Sequence, residues 1–163
     1  MTTISRTACR RLLVALALAA LPASAQTTPN PLARNSNATP SSLVAGIWNG
    51  ANLENRSNCA ATQNNGSHGT YAQYDVEFDP GNTTMSITET AITGLSCIYI
   101  GTYNDDPFRP QWSGNYSCSD GKTGSFAMTR LLAVPNSMYV RLSVKLTGTE
   151  TCNVDAILGG SRF

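Results

Sequence analysis

Charge is scarce in this 163-residue chain: Asp, Glu, Lys and Arg together make up 13% of it, and histidine occurs once, at His68. With a formal net charge of +1 there is no basic balance to hold nucleic acid. The single histidine sits in Asn64-Asn65-Gly66-Ser67-His68-Gly69, a soft polar stretch with no orienting partner beside it. General-base catalysis needs a positioned side chain, so this setting argues against a triad. No two cysteines have the C-x2-C spacing of a zinc site. No EF-hand spacing is present, and no segment is apolar over the length that crosses a bilayer. These absences predict a protein that is no enzyme, holds no metal or cofactor, binds no nucleic acid and has no membrane span.

The N-terminal residues carry an address. Arg6, Arg10 and Arg11 precede an apolar run from Leu12 to Leu21, and Ala23-Ser24-Ala25 fits small-residue cleavage. Residues 1–25 read as a secretory signal peptide cut after Ala25, which places the mature chain in the periplasm or outside the cell. Cleavage removes three basic residues, leaving 8 against 10 acidic ones. It also removes Cys9, leaving Cys59, Cys97, Cys118 and Cys152. Four cysteines in an exported chain predict two disulfides. Residues 26–42, rich in Thr, Pro, Asn and Ser, read as a flexible leader, so one folded domain is expected over 43–163. Residues 55–69 read as a second soft segment.

The remainder alternates with a period of two. Leu43 to Leu53 is a candidate first strand. Tyr74, Val76 and Phe78 share one face against Asp75, Glu77 and Asp79, which read as a solvated acidic face rather than a calcium site. Asp79-Pro80-Gly81-Asn82 is a turn. Met85 and Ile87 mark the next strand. Phe126, Met128 and Leu132 mark another after the Asp120-Gly121 turn. Met138, Val140, Leu142, Val144 and Leu146 form the cleanest half-buried strand, and Cys152, Val154, Ala156 and Leu158 the last.

Between these lies a hairpin written nearly as its own mirror image. Cys97-Ile98-Tyr99-Ile100-Gly101-Thr102-Tyr103 is answered by Trp112-Ser113-Gly114-Asn115-Tyr116-Ser117-Cys118. Antiparallel pairing sets Cys97 opposite Cys118, Tyr99 opposite Tyr116, Gly101 opposite Gly114 and Tyr103 opposite Trp112. A slip of one residue breaks all four pairs at once. Cys97–Cys118 is therefore one disulfide and, by elimination, Cys59–Cys152 the other. About eight short strands predict an all-β fold, a small antiparallel barrel, with a β-sandwich as the alternative.

The opposed glycines have two readings. One is a notch between rings that stacks a flat ligand; the other is a bend where backbone packs closely. The loop Asn104 to Gln111 adds Phe108 and Arg109, residue types favoured at interfaces, between two prolines. Asp105 and Asp106 in that loop read as solvated. The candidate ligand or partner contacts are thus Tyr99, Tyr103, Phe108, Arg109, Trp112 and Tyr116.

Two resemblances sit on named motifs. The Cys97 to Tyr103 heptad, Gly114-Asn115-Tyr116-Ser117-Cys118-Ser119-Asp120-Gly121 and Gly159-Gly160-Ser161-Arg162 resemble an uncharacterised β-rich domain of exported proteobacterial proteins over residues 95–163. This implies a bacterial exported module and no particular activity. Gly46-Ile47-Trp48 resembles the opening motif of the calycins, the lipocalin and avidin class of barrels. That resemblance implies a basic residue covering the tryptophan from the last strand, a place that Arg162 fits. It brings no biotin-contacting residues. The expected function is an exported, non-catalytic module that binds an unknown protein or small molecule. The alternative is an inhibitor of a secreted hydrolase that uses the N-terminal arm, and an enzyme of unknown type comes third.

Overall fold

The computed structural model describes residues 40–106 and 108–162. Residues 1–39, which take in the segment read as a signal peptide and most of the one read as a leader, lie outside them. A short helix, α1 (Pro40–Val44), leads into eight strands: β1 (Gly46–Ser57), β2 (Gly66–Phe78), β3 (Thr84–Ala91), β4 (Ser96–Asn104), β5 (Gln111–Cys118), β6 (Lys122–Val134), β7 (Ser137–Gly148) and β8 (Cys152–Ser161). Each strand pairs antiparallel with the next, and β8 returns to β1, which closes a barrel. Closure settles the alternative against a sandwich and leaves no free sheet edge. No helix among the described residues is long and apolar enough to cross a membrane.

The period-two faces land as their sequence predicts. Tyr74, Val76, Met85, Ile87, Met138, Val140, Leu142, Val144, Leu146, Val154, Ala156 and Leu158 all point into the barrel and are buried. The mirror hairpin pairs in the predicted register along its whole length. Both disulfides have the predicted partners, Cys97–Cys118 and Cys59–Cys152.

Four details differ. The predicted first strand, Leu43 to Leu53, begins with helix instead: Ser41, Leu43 and Val44 are buried, and β1 starts at Gly46. The end of the assigned leader is therefore docked, because Asp105 accepts hydrogen bonds from the Ser41 N–H at 3.1 Å and its hydroxyl at 2.5 Å. That also takes Asp105 out of the solvated class. The soft segment 55–69 is strand at both ends, 55–57 and 66–69, where its backbone groups complete the β1–β2 ladder from Arg56↔Gly66 to Leu53↔Gly69, and outside the strands only over 58–65. On β6 a register shift between Met128 and Arg130 changes the inward parity, so Leu131 and Ala133 face the core where alternation chose Leu132.

The two ends of the barrel are built differently. At one end, α1 plugs the barrel. Trp48 Nε1 donates to the Val44 carbonyl at 2.7 Å. The Arg162 guanidinium stands 4.3 Å from the Trp48 ring centre and donates to the carbonyls of Leu43, Ala45 and Pro135. This is the cover implied by the calycin resemblance. Trp112, Phe126 and Tyr99 fill the space above, with Trp112 and Phe126 ring centres 4.3 Å apart. Both disulfides lie at the opposite end, the mouth.

Candidate functional site

Strand direction decides what reaches the mouth. On β1 the inward residues run Trp48, Gly50, Asn52, Glu54, Arg56, so the apolar series turns polar as the strand climbs. The inward series on β3 is Met85, Ile87, Glu89, Ala91. On β2 it continues from Tyr74 and Ala72 out to Thr70 and His68. The core therefore stops short of the mouth and leaves a cavity of about 250 Å³. Its polar side is Asn52, Glu54, Arg56, Thr70 and Glu89. Ala91, Leu95, Cys97 and Tyr116 form the apolar side.

Glu89 is the centre of this site. It is 3% exposed, and Asn52 beside it 6%. Asn52 Nδ2 donates to Glu89 Oε1 at 2.9 Å and also reaches Glu54 Oε1 at 3.3 Å. The Tyr99 hydroxyl donates to Glu89 Oε2 at 3.2 Å. Burial pushes the Glu89 carboxyl above the usual carboxylate range. The Asn52 and Tyr99 hydrogen bonds oppose that rise, and the Glu54 charge adds to it. Burial and then the Glu89 charge raise the Tyr74 and Tyr99 hydroxyls in turn, so both stay protonated.

The cations at the mouth are engaged elsewhere. Arg56 bridges Glu54 at 2.7 Å and Glu150 at 3.1 Å, and Lys122 pairs with Asp120 at 2.5 Å. Among the described residues no cation pairs with Glu89. Two buried polar atoms in this region, Asn52 Oδ1 and the Tyr74 hydroxyl, have no hydrogen-bond partner. Buried polar groups are nearly always satisfied, so unsatisfied ones in a native barrel need a reason.

The six candidate contacts fall into three places. Tyr116 lines the cavity, its hydroxyl 2.7 Å from Cys118 Sγ, and Tyr99 holds Glu89 from below. Trp112 and Tyr103 belong to the core: Trp112 Nε1 donates to the Met85 carbonyl at 2.9 Å and the Tyr103 hydroxyl donates to Asp105. Phe108, 91% exposed, and Arg109 stand at the plugged end, on a loop whose two N–H groups bond to Asp106. The rings surround no surface notch. A Cβ on Gly101 would lie 2.0 Å from the Ser113 carbonyl oxygen, and one on Gly114 2.1 Å from that of Ile100. Close backbone is what the glycine pair serves, with Phe126 of β6 beside Gly114.

Sequence reasoning missed Glu89, Asn52, Glu54 and Arg56. The signal was present: each continues the inward parity of an apolar series, and a charged residue in phase with Met85 and Ile87 marks an interior polar site. His68 stands at the exposed rim, opposite Glu54 in the β1–β2 register, with Nε2 3.1 Å from the Asn64 carbonyl oxygen. Asp79 closes the β2–β3 turn. The Thr84 and Thr83 N–H groups bond to its carboxylate at 2.6 Å, and that from Thr84 leads in holding its pKa below the ordinary range.

An eight-stranded up-and-down barrel, plugged at one end and polar at the other, is the class that fold and site define. No family model matches the chain, and no curated protein matches it. Among solved structures, a de novo designed fluorescence-activating β-barrel is similar to it, at 12% sequence identity and a TM-score of 0.40, with 75% of this chain and 96% of that chain covered. The two resemblances drawn from sequence motifs acquire no family from these comparisons.

Proposed function

We propose that this is an exported, non-catalytic barrel that holds a small molecule in its mouth. The carrying observation is the cavity of about 250 Å³ floored by the buried Glu89–Asn52 pair. Ligand sites are concave and combine placed polar groups with apolar surface, and the mouth sets Asn52, Glu54, Arg56, Thr70 and Glu89 beside Ala91, Leu95 and Tyr116. Its volume is below the roughly 300–1,000 Å³ of drug-sized sites, which points to a small ligand. Export is supported by the Arg-rich, apolar N-terminal segment and by the two disulfides. A catalytic reading has less support. The His68 ring nitrogen is turned to a backbone carbonyl, and Glu54 is held by Arg56 and Asn52. The inhibitor reading rests on residues outside the described ones, and no observation favours it.

The test is a thermal-shift screen of small polar compounds against the exported protein, repeated on Ala91→Leu, which projects a larger side chain into the cavity. Compounds that stabilise the wild type should lose their effect on the variant. Undiminished stabilisation of Ala91→Leu would move the binding site away from the mouth.

A further inference from the structure

The chemistry of the mouth floor specifies a class of ligand, an inference that rests on the small-molecule reading above. Two carboxyl groups, Glu54 and Glu89, converge on one amide, Asn52 Nδ2, at 3.3 and 2.9 Å. Arg56 compensates only the first of them. Lys122, the other basic residue lining the cavity apart from the rim histidine, is paired with Asp120. With Glu89 ionised the floor is short of one positive charge, at a place 97% shielded from solvent at Glu89.

It is short of donors as well. Asn52 Oδ1 is buried, faces no donor and belongs to a residue that lines the cavity. An ionised carboxylate accepts at both oxygens with about four lone-pair sites, of which Asn52 and Tyr99 use part. What is missing is a group with several N–H donors and a positive charge. A primary ammonium, with three donors and no acceptor, has both properties. Ala91, the next inward position of β3 after Glu89, Leu95 and the Tyr116 ring beside the disulfide add apolar lining that suits an uncharged body attached to that head.

We propose that the mouth cavity binds a small organic ammonium ion, its head on Glu89, Glu54 and Asn52 Oδ1 and its apolar body against Ala91 and Tyr116. Charge-assisted bonds of this kind are worth roughly twice a neutral one, and a desolvated site strengthens them further.

The experiment uses three probes of similar shape on the full mature protein at one fixed pH: benzylammonium, benzyl alcohol and benzoate. Amide chemical shifts of β1 and β3 near the mouth report binding. Benzylammonium should bind most tightly, and Glu89→Gln should weaken it by about tenfold or more, the worth of one hydrogen bond to a charged group. Benzyl alcohol should bind both proteins alike. Benzyl alcohol or benzoate binding the wild type as tightly as benzylammonium would overturn the ammonium inference while leaving the mouth as a ligand site. The same holds if Glu89→Gln keeps full benzylammonium affinity. Mouth amides that respond to none of the three probes would overturn the ligand-site reading too. The ranking of the probes on the unaltered protein decides the matter even where the variant does not fold.

Discussion

Raising the pH should destabilise this barrel through Glu89, and the effect can be isolated from every other carboxylate. Burial, with a contribution from the Glu54 charge, holds the Glu89 carboxyl above its ordinary range despite the Asn52 and Tyr99 hydrogen bonds. The folded chain then holds this proton more tightly than the unfolded chain does. The stabilisation is complete below the unfolded value, roughly 4.3, and is lost as pH rises through the folded value. Between those values one proton sets the slope, about 1.4 kcal/mol lost per pH unit. Above the folded value the loss levels off at about 1.4 kcal/mol for each unit separating the two. Asp79, Asp120 and Asp155 are lowered, so their contributions have the opposite sign and fall away only as pH drops through the acid range. Above pH ~5 those three are ionised in both states and drop out. Tyr74, Tyr99 and Tyr116 are raised and stay protonated below pH ~9. His68, Glu54, Arg56 and Lys122 also face the cavity, so the comparison is made against Glu89→Gln, which keeps them all. The side chain at position 89 of the variant is neutral at every pH, and Asn52 can turn its unpartnered Oδ1 to the new amide. Urea unfolding followed by the fluorescence of Trp48 and Trp112 from pH 4 to 9 should show the wild type losing stability relative to the variant as pH rises. Parallel curves over that range would refute the reasoning, because they would mean that Glu89 titrates alike in both states.

Trp112→Ala should cost about 3–5 kcal/mol, as expected for a large aromatic removed from a filled interior. The double change of Phe108 and Arg109 to Ala, at the exposed tip, should stay within about 0.5 kcal/mol by the same urea assay. Equal costs for the two would contradict the assignment of one to core and the other to surface. Arg162→Ala removes donors to three backbone carbonyls and the cover of Trp48. It should cost about 1–3 kcal/mol and speed hydrogen exchange in Pro40–Val44 while leaving the mouth amides unchanged.

Much of the fold was legible because it is carried by local alternation. β7 and β8 need only their own period to declare which side chains go inward, and the mirror hairpin fixes its register through four like pairs that a slip would break. The misreadings came where distant contacts override local chemistry. Nothing near Ser41 announces that Asp105, 64 residues away, will anchor it. Residues 66–69, Gly-Ser-His-Gly, look like loop until β1 supplies their hydrogen-bond partners. At β6 one extra residue exchanges the faces of everything after it. The site was missed for another reason: aromatic rings drew the eye to the hairpin, although a barrel turns them into its core. The residues that line the mouth cavity are instead the polar ones that fall on the inward parity, Asn52, Glu54 and Glu89 among them.

The placement of the disulfides follows from the same asymmetry. At the plugged end, apolar packing, the Trp48 hydrogen bond and the Arg162 cover hold the strands together. The mouth has no such core, and it carries buried carboxyl groups whose desolvation opposes folding. Strand ends there would fray first. Cys97–Cys118 ties β4 to β5, and Cys59–Cys152 ties the segment after β1 to the start of β8 across 93 residues of chain. Closing a loop of that length removes unfolded-state entropy worth roughly 4–5 kcal/mol. That is comparable to the several kcal/mol per buried ion that an unpaired charge costs. Cross-links at the mouth let the interior stay polar and hollow there, without the stability that filling it would supply. A barrel that needed the disulfides only for general stability could carry them at either end. Both stand at the end with Glu89, and Cys97 lines the cavity itself.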